Sequence, residues 1–311
     1  MSFFDEYNAH KAERAKLGIP PLALSKEQTQ QVCEALKSEP TPELVELLAT
    51  RVNPGVDEGA KVKAEFLNEI INHNLNCPLI DKSTAIKMLE PMLGGYSVIV
   101  LIACLHSNDE NIQSQAANVL KNTIFVHDYF NDVAKLAKEG NKHAKSVLES
   151  WADASWFKSR PDIPEKIEAV VFKVPGETNT DDLSPAGDAF TRSDIPLHAN
   201  AMLIKRQPGS IEKIAELKKT GREVVYVGDV VGTGSSRKSA TNSIQWHIGR
   251  DIPGIPNKKT GGVILGSIIA PIFFNTNEDS GALPILLNVD GLEMGDEITI
   301  YPLKGEIHKN G

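Results

Sequence analysis

Gly228-Asp229-Val230-Val231-Gly232-Thr233-Gly234-Ser235-Ser236-Arg237-Lys238-Ser239-Ala240 is the stretch whose reading decides the fold. The apolar, β-type run Val224-Val225-Tyr226-Val227 precedes it, and a helical pattern carrying Ile244, Trp246 and Ile248 follows. Two glycines, Gly232 and Gly234, let the backbone turn tightly and approach a ligand. Ser235 and Ser236 then fall near a helix N-terminus, where free N–H groups and the helix dipole favour an anion. Arg237 adds a planar fork suited to a carboxylate or phosphate. The stretch predicts a strand, a glycine turn and a helix, with a small acidic ligand at the turn.

Known phosphate loops fit it poorly. A Walker A loop needs a glycine directly before its lysine, and a dinucleotide fingerprint needs a third glycine where Arg237 stands. A turn that merely caps a helix remains open. A second stretch narrows the choice: Gly176-Glu-Thr-Asn-Thr-Asp-Asp-Leu-Ser-Pro-Ala-Gly-Asp-Ala-Phe-Thr-Arg192, after the strand-like Ala169–Val174. Gly-x-Gly-Ser-Ser-Arg at a strand-to-helix turn resembles the swivel domain of the aconitase and isopropylmalate isomerase hydro-lyases. Thr180–Ala186 is similar to the swivel signature Thr-Asp-His-Ile-Ser-Pro-Ala, departing at Asp182 and, more mildly, at Leu183. That departure, the continuation Arg192–His198 and the helical segment ahead resemble the bacterial aconitase B family over essentially the whole chain.

Composition agrees with a soluble intracellular protein. The 311 residues are 41% hydrophobic and 24% charged, enough for two domains. A formal net charge of −8 gives no global basic field to draw DNA or an anionic membrane. Met-Ser-Phe-Phe-Asp-Glu lacks a signal-peptide layout, and the longest apolar stretch, Val98 to Leu105, is too short to span a bilayer. Cys33, Cys77 and Cys104 are widely spaced and odd in number, against a disulfide framework. They lie beside apolar residues and read as small buried hydrophobes. The cytoplasm is the expected location.

The first half is helical by pattern. Phe3 to Leu17 forms one helix, stopped by Gly18, Pro20 and Pro21. Ser25 and Gln28 form a capping box for Lys26 to Lys37, and Thr41 with Pro42 opens a helix running to about Arg51. Asp57 opens another whose Val62, Phe66, Ile70 and Ile71 share a face. Further helices fit Thr84–Met92, Val98–His106, Asn111–Phe125, Asp128–Glu139 and Lys142–Trp156. Short helices joined by short turns read as a stacked α-solenoid, with a compact bundle as the alternative. The resemblance implies a HEAT-like solenoid over residues 1–160.

The class changes near Lys158–Pro164, so residues 161–311 form an α/β domain, the swivel. Strands are expected at Ala169–Val174, Val224–Val227, Gly262–Leu265, Ile285–Leu287 and Glu297–Ile300. Helices are expected near Ala201, at Ile211–Lys218 and at Ser239–Ile248. The family continues beyond a swivel, so the chain is expected to be cut at or near its C-terminal end.

The resemblance implies an enzyme that interconverts citrate and isocitrate through cis-aconitate, with 2-methylisocitrate as a related substrate. It makes Ser235 the base, in alkoxide form, for a proton α to a carboxylate. Ser236, Arg237 and Arg192 would bind carboxylates, and Asp181 would support the site wall. Without the resemblance, Arg192 reads as a surface arginine pairing with Asp188 or Asp194. His198 and His247 read as satisfied core or surface histidines, and Phe273 as buried packing. A 4Fe-4S cluster is implied for the whole enzyme, with its ligands outside this chain and no metal expected here. The helical half would serve homodimer formation and mRNA binding, which also makes an RNA-binding or protein-interaction module the second reading. The small subunit of a two-chain isopropylmalate isomerase is a third, opposed by the long helical half.

Overall fold

A computed structural model describes residues 3–123, 127–159 and 162–309. The end of the expected helix Asn111–Phe125 and the expected class boundary at 160–161 lie outside the described residues. The chain divides into two compact units. One takes described residues 3–9, 22–159 and 253–256, the other 10–21, 162–252 and 257–309.

The first unit is helical. Its helices are α1 (Phe3–Lys16, whose second half belongs to the other unit), α2 (Lys26–Ser38), α3 (Pro42–Thr50), α4 (Glu58–Asn72) and α5 (Lys82–Leu89). They continue with α6 (Tyr96–Cys104), α7 (Glu110–Asn122), α8 (Phe130–Lys138), α9 (Lys142–Ala152) and α10 (Ser155–Lys158). Capping explains where they start. The Ser25–Gln28 box closes, Thr41 caps ahead of Pro42, and Asp57, Asp81, Asp109 and Asn141 each accept a first-turn N–H. Each such cap contributes on the order of 1 kcal/mol. The apolar faces meet in one core, where Leu36, Leu48, Leu67, Leu89, Leu101 and Leu120 are fully buried. Helix α4 packs on α2, α5 and α6, and α7 packs on α5, α6 and α9.

The second unit is built on a six-stranded mixed sheet in the order β6-β5-β2-β1-β7-β8. The strands are β1 (Ile167–Asn179), β2 (Glu223–Thr233), β5 (Val263–Ile269), β6 (Leu283–Leu286), β7 (Glu297–Tyr301) and β8 (Glu306–Lys309). Two further short strands, β3 (Arg250–Asp251) and β4 (Lys259–Thr260), pair separately. β1, β2, β5 and β6 run parallel, while β7 and β8 are antiparallel. Both faces of the sheet are covered. Phe172, Val174, Tyr226 and Ile264 face one core with Ile244 and Phe273, while Val171, Val225, Val227 and Leu265 face another with Val289 and Ile298. Two buried faces explain why β1 and β2 read as continuous apolar runs rather than alternating ones.

Short helices α11 (Thr180–Leu183) and α12 (Ile195–Ala199) follow β1, then α13 (Ser210–Lys218). Helix α14 (Arg237–Ile248) follows β2, and α15 (Pro271–Asp279) follows β5. The helix expected near Ala201 is α12, which lies earlier. Pro196 opens it, and the chain leaves the helical path where Leu203 takes a φ of 61°. There Leu203 N donates to Asp182 O (2.8 Å), fixing the return of the chain to α11. Among the described residues, no helix is long and apolar enough to cross a membrane.

Candidate anion site at two strand ends

The two motifs occupy the carboxyl ends of neighbouring parallel strands. β1 and β2 are in register through Thr178↔Val231 and Asn179↔Thr233, so both chains leave the sheet side by side and each enters a helix. In open α/β sheets this end is where ligands bind, because helix N-termini and irregular loops converge there. Asn179 caps α11 by accepting from the N–H groups of Asp181 and Asp182, both at 2.9 Å. The Asp182 carboxylate returns the bond by accepting from Asn179 N, also at 2.9 Å. Asp182, the motif's main departure, therefore closes a capping box.

β2 runs on through Gly232 to Thr233, leaving Gly234-Ser235-Ser236 as the whole connection to α14. Both glycines are sterically required. At Gly232 (φ +82°) a Cβ would fall 2.1 Å from the ring of Phe273, and at Gly234 (φ +104°) it would fall 2.6 Å from Thr180 Oγ1. Thr180 Oγ1 accepts from Ser236 N (3.2 Å), which locks the start of α14 to the start of α11. Ser236 stands at the N-cap of α14, yet its side chain caps nothing.

That hydroxyl instead accepts from Arg192 Nη2 at 2.9 Å, across 44 positions of sequence. The same Nη2 also donates to Ser184 O (3.2 Å), while the buried Nε has no hydrogen-bond partner. The surface pairing of Arg192 with Asp188 or Asp194 does not form. Asp194 is taken by Arg14, and the arginine points to the β2–α14 turn. Arg237 donates one arm to Gly234 O (3.1 Å). Ser235 and Asp181 are exposed. Two contacts, Arg192 with Ser236 and Arg237 with Gly234, thus hold the turn on either side of the exposed Ser235, and Asp181 directly follows Thr180 in the chain.

Next to these contacts lies a polar network around His198, which the sequence marked as a satisfied core or surface histidine without indicating its partners. His198, 2% exposed, places Nε2 2.7 Å from Ser184 Oγ and Nδ1 2.8 Å from Thr191 Oγ1 and 3.2 Å from Asp188 O. Ser184 Oγ also lies 2.7 Å from Ser239 Oγ, which donates to Ser236 O (3.1 Å). Thr191 Oγ1 also donates to Asp188 O (2.7 Å), which joins the ring's partners to one another. Burial holds the imidazole pKa below its ordinary value, and the Arg192 charge adds to that, favouring the neutral ring. Ser184 stood in the sequence only as part of the Thr180–Ala186 stretch. Ser239 lies three residues past Ser236, on the same side of a helix, and that spacing was the available signal.

The chain's cysteines do not fit an iron–sulfur centre, which is held by a set of converging thiolates. Cys33, Cys77 and Cys104 are buried and free in the helical unit, and burial pushes the Cys33 thiol up to about 12 and Cys104 to about 11. Among the described residues no group of three His, Cys, Asp or Glu side chains is placed to hold a metal ion.

Two family models match the chain in tandem: the aconitate B N-terminal domain over residues 6–157, and the aconitate hydratase 2 N-terminus over residues 169–311. Aconitate hydratase B of Synechocystis sp. is 57% identical over 97% of this chain and 35% of its own length. The Helicobacter pylori protein of the same name is 55% identical over 99% of the chain and 36% of its own length. A solved 3-isopropylmalate dehydratase from Methanocaldococcus jannaschii overlaps 47% of the chain and 83% of its own, at 21% identity and a TM-score of 0.32, too loose to compare folds. The chain spans little more than a third of the length of these curated relatives. On two adjoining family models and relatives more than half identical along nearly all of it, the chain belongs to the aconitate hydratase B family, whose N-terminal part it matches.

Proposed function

We propose that this chain supplies the N-terminal part of a hydro-lyase that interconverts citrate and isocitrate through cis-aconitate, and that its second unit presents the carboxylate-binding residues. The observation that carries the reading is the Arg192–Ser236 contact. It gathers an arginine fork, two glycine-freed serines and a helix N-terminus at neighbouring strand ends, all donors suited to an anion. Arg192, Ser236 and Arg237 hold substrate carboxylates, and the exposed Ser235 takes the proton α to a carboxylate. Asp181 lines the wall beside them. A base at that position acts only as the C–H bond breaks, so its loss lowers kcat far more than it raises KM. The iron–sulfur chemistry of such an enzyme belongs to residues outside this chain.

The helical unit is a HEAT-like stack in this reading. Pairing of α4 with α5, α6 with α7 and α8 with α9, and packing of α4 on α6 and α5 on α7, supports neighbour-to-neighbour stacking.

The test is a chimera in which residues 1–311 replace the matching part of the Synechocystis enzyme. It should hydrate cis-aconitate. Ser235→Ala should cut kcat with KM little changed. Arg192→Lys and Arg237→Lys should each weaken citrate about ten- to a hundredfold, because an ammonium loses the two-pronged contact. Near-normal kinetics in all three folded variants would make the turn purely structural.

A further inference from the structure

Helix α12 has five residues, too few to be stable alone, and its N-cap residue Asp194 makes no capping bond with its side chain. An aspartate there ordinarily accepts a first-turn N–H. Here the carboxylate is given instead to Arg14, 180 positions away, in a two-armed pair whose Nη2–Oδ1 arm is 2.9 Å. Arg14 is 7% exposed, and its third side is also used, with Nε donating to Pro20 O at 2.8 Å. The same segment grips the other end of α12, since the C-cap residue Asn200 donates to Leu17 O (3.2 Å). Farther along, Asn257 donates to Pro21 O (3.0 Å), and Ile19 is buried. Residues 14–21 thus run as a strap within the second unit, holding both ends of α12.

What α12 carries makes the strap consequential. His198 lies on it, bonded to Ser184 and Thr191, and Arg192 stands two residues before the clamped Asp194. Asp194 N donates to Thr191 O and His198 N donates to Asp194 O, both at 2.9 Å, so a displacement of Asp194 passes into His198 and into Thr191, the chain neighbour of Arg192. A buried fork–carboxylate pair fixes orientation as well as distance.

We propose that Arg14 is a positioning residue for the anion site: its clamp on Asp194 holds the Arg192 guanidinium against Ser236. The consequence for substrate rests on the carboxylate-binding reading above, but the positioning does not.

The experiment uses the 1–311 chain labelled with 15N-arginine and with 15N in its backbone. The Arg192 Nε–H signal is assigned by its loss in Arg192→Lys. Arg14→Lys keeps the charge and removes the fork, and Asp194→Asn keeps the shape and removes the charge. Both should shift the Arg192 Nε–H and Ser236 amide signals and speed solvent exchange of that Nε–H by about tenfold or more, since a freed side chain opens more often. The double variant should do no more than either single one, because all three break the same contact. Asn257→Ala, which loosens the strap away from α12, should leave both signals in place. Unmoved signals in folded Arg14→Lys and Asp194→Asn would overturn the proposal, as would an equal shift in Asn257→Ala. Titrating wild type with citrate judges the other reading separately: signals that move with Arg14→Lys and not with citrate leave the clamp standing and remove its ligand.

Discussion

Replacing Gly234 by alanine tests whether the β2–α14 turn is built as its contacts imply. Two separate costs arise. The residue sits at φ +104°, a region that costs a side-chain-bearing residue about 1–3 kcal/mol. The new methyl would also fall 2.6 Å from Thr180 Oγ1, and relieving that overlap costs about 1–3 kcal/mol. If Thr180 rotates away, it abandons its bond from Ser236 N, worth about 1 kcal/mol. Gly234→Ala should therefore destabilise the second unit by about 2–6 kcal/mol. In a Thr180→Ala background the overlap is gone, and the same substitution should cost only the φ term, about 1–3 kcal/mol. Urea unfolding followed by Trp246 fluorescence reports this unit when Trp151 and Trp156, both in the helical half, are replaced by phenylalanine. The coupling energy between positions 180 and 234 should be at least about 1 kcal/mol. A cost that is the same in both backgrounds would refute the argument, since it would leave only the backbone term.

The remaining predictions concern titration. His198 and His247 are buried, and burial lowers both pKa values, with Lys218 and Lys259 adding to the shift of His247, whose Nε2–H donates to Ala199 O (2.8 Å). Below about pH 6.5 the unfolded chain binds protons that the folded unit refuses, so stability is lost as pH falls, by up to about 1.4 kcal/mol per pH unit for each ring. The depressed carboxylates Asp229 and Asp296 titrate only at lower pH, so a flat unfolding profile between pH 7 and pH 5 would refute this. In the helical unit, Lys63 is 2% exposed with one bond, to Ala49 O (3.3 Å), and burial pushes its pKa down to about 8. Lys63→Met should stabilise that unit by on the order of 2–3 kcal/mol at pH 7. The advantage should fade between about pH 8 and pH 10.4, where wild-type Lys63 sheds its proton in the folded state first. The two proteins are compared at each pH because both carry Cys33, which titrates in the opposing sense, and an advantage independent of pH would show that Lys63 is held charged without penalty.

Local chemistry made the helix starts legible. Ser25, Thr41 and Asp57 act within one turn of themselves, so their caps need no knowledge of the rest of the fold. The same holds for the glycine turn, because Gly232 and Gly234 announce a backbone that few other residues adopt. The apolar runs of β1 and β2 indicated buried strands, since a sheet covered on both faces needs apolar residues on both. Pairing across long separations was not legible. Arg192 reads equally well as a partner for Asp188, for Asp194 or for a serine 44 residues away, and only the register of β1 with β2 decides for Ser236. His198 shows no more in sequence than any histidine near apolar neighbours, until Ser184 and Ser239 are brought against it from two other elements. Asp194 stands where a local capping bond would be expected, and tertiary structure gives it to Arg14 instead. Sequence determined the elements because their signals are short-ranged. Tertiary structure decided which polar groups meet, because a side chain's choice among equivalent partners is set by which strand ends and helix ends the core places together.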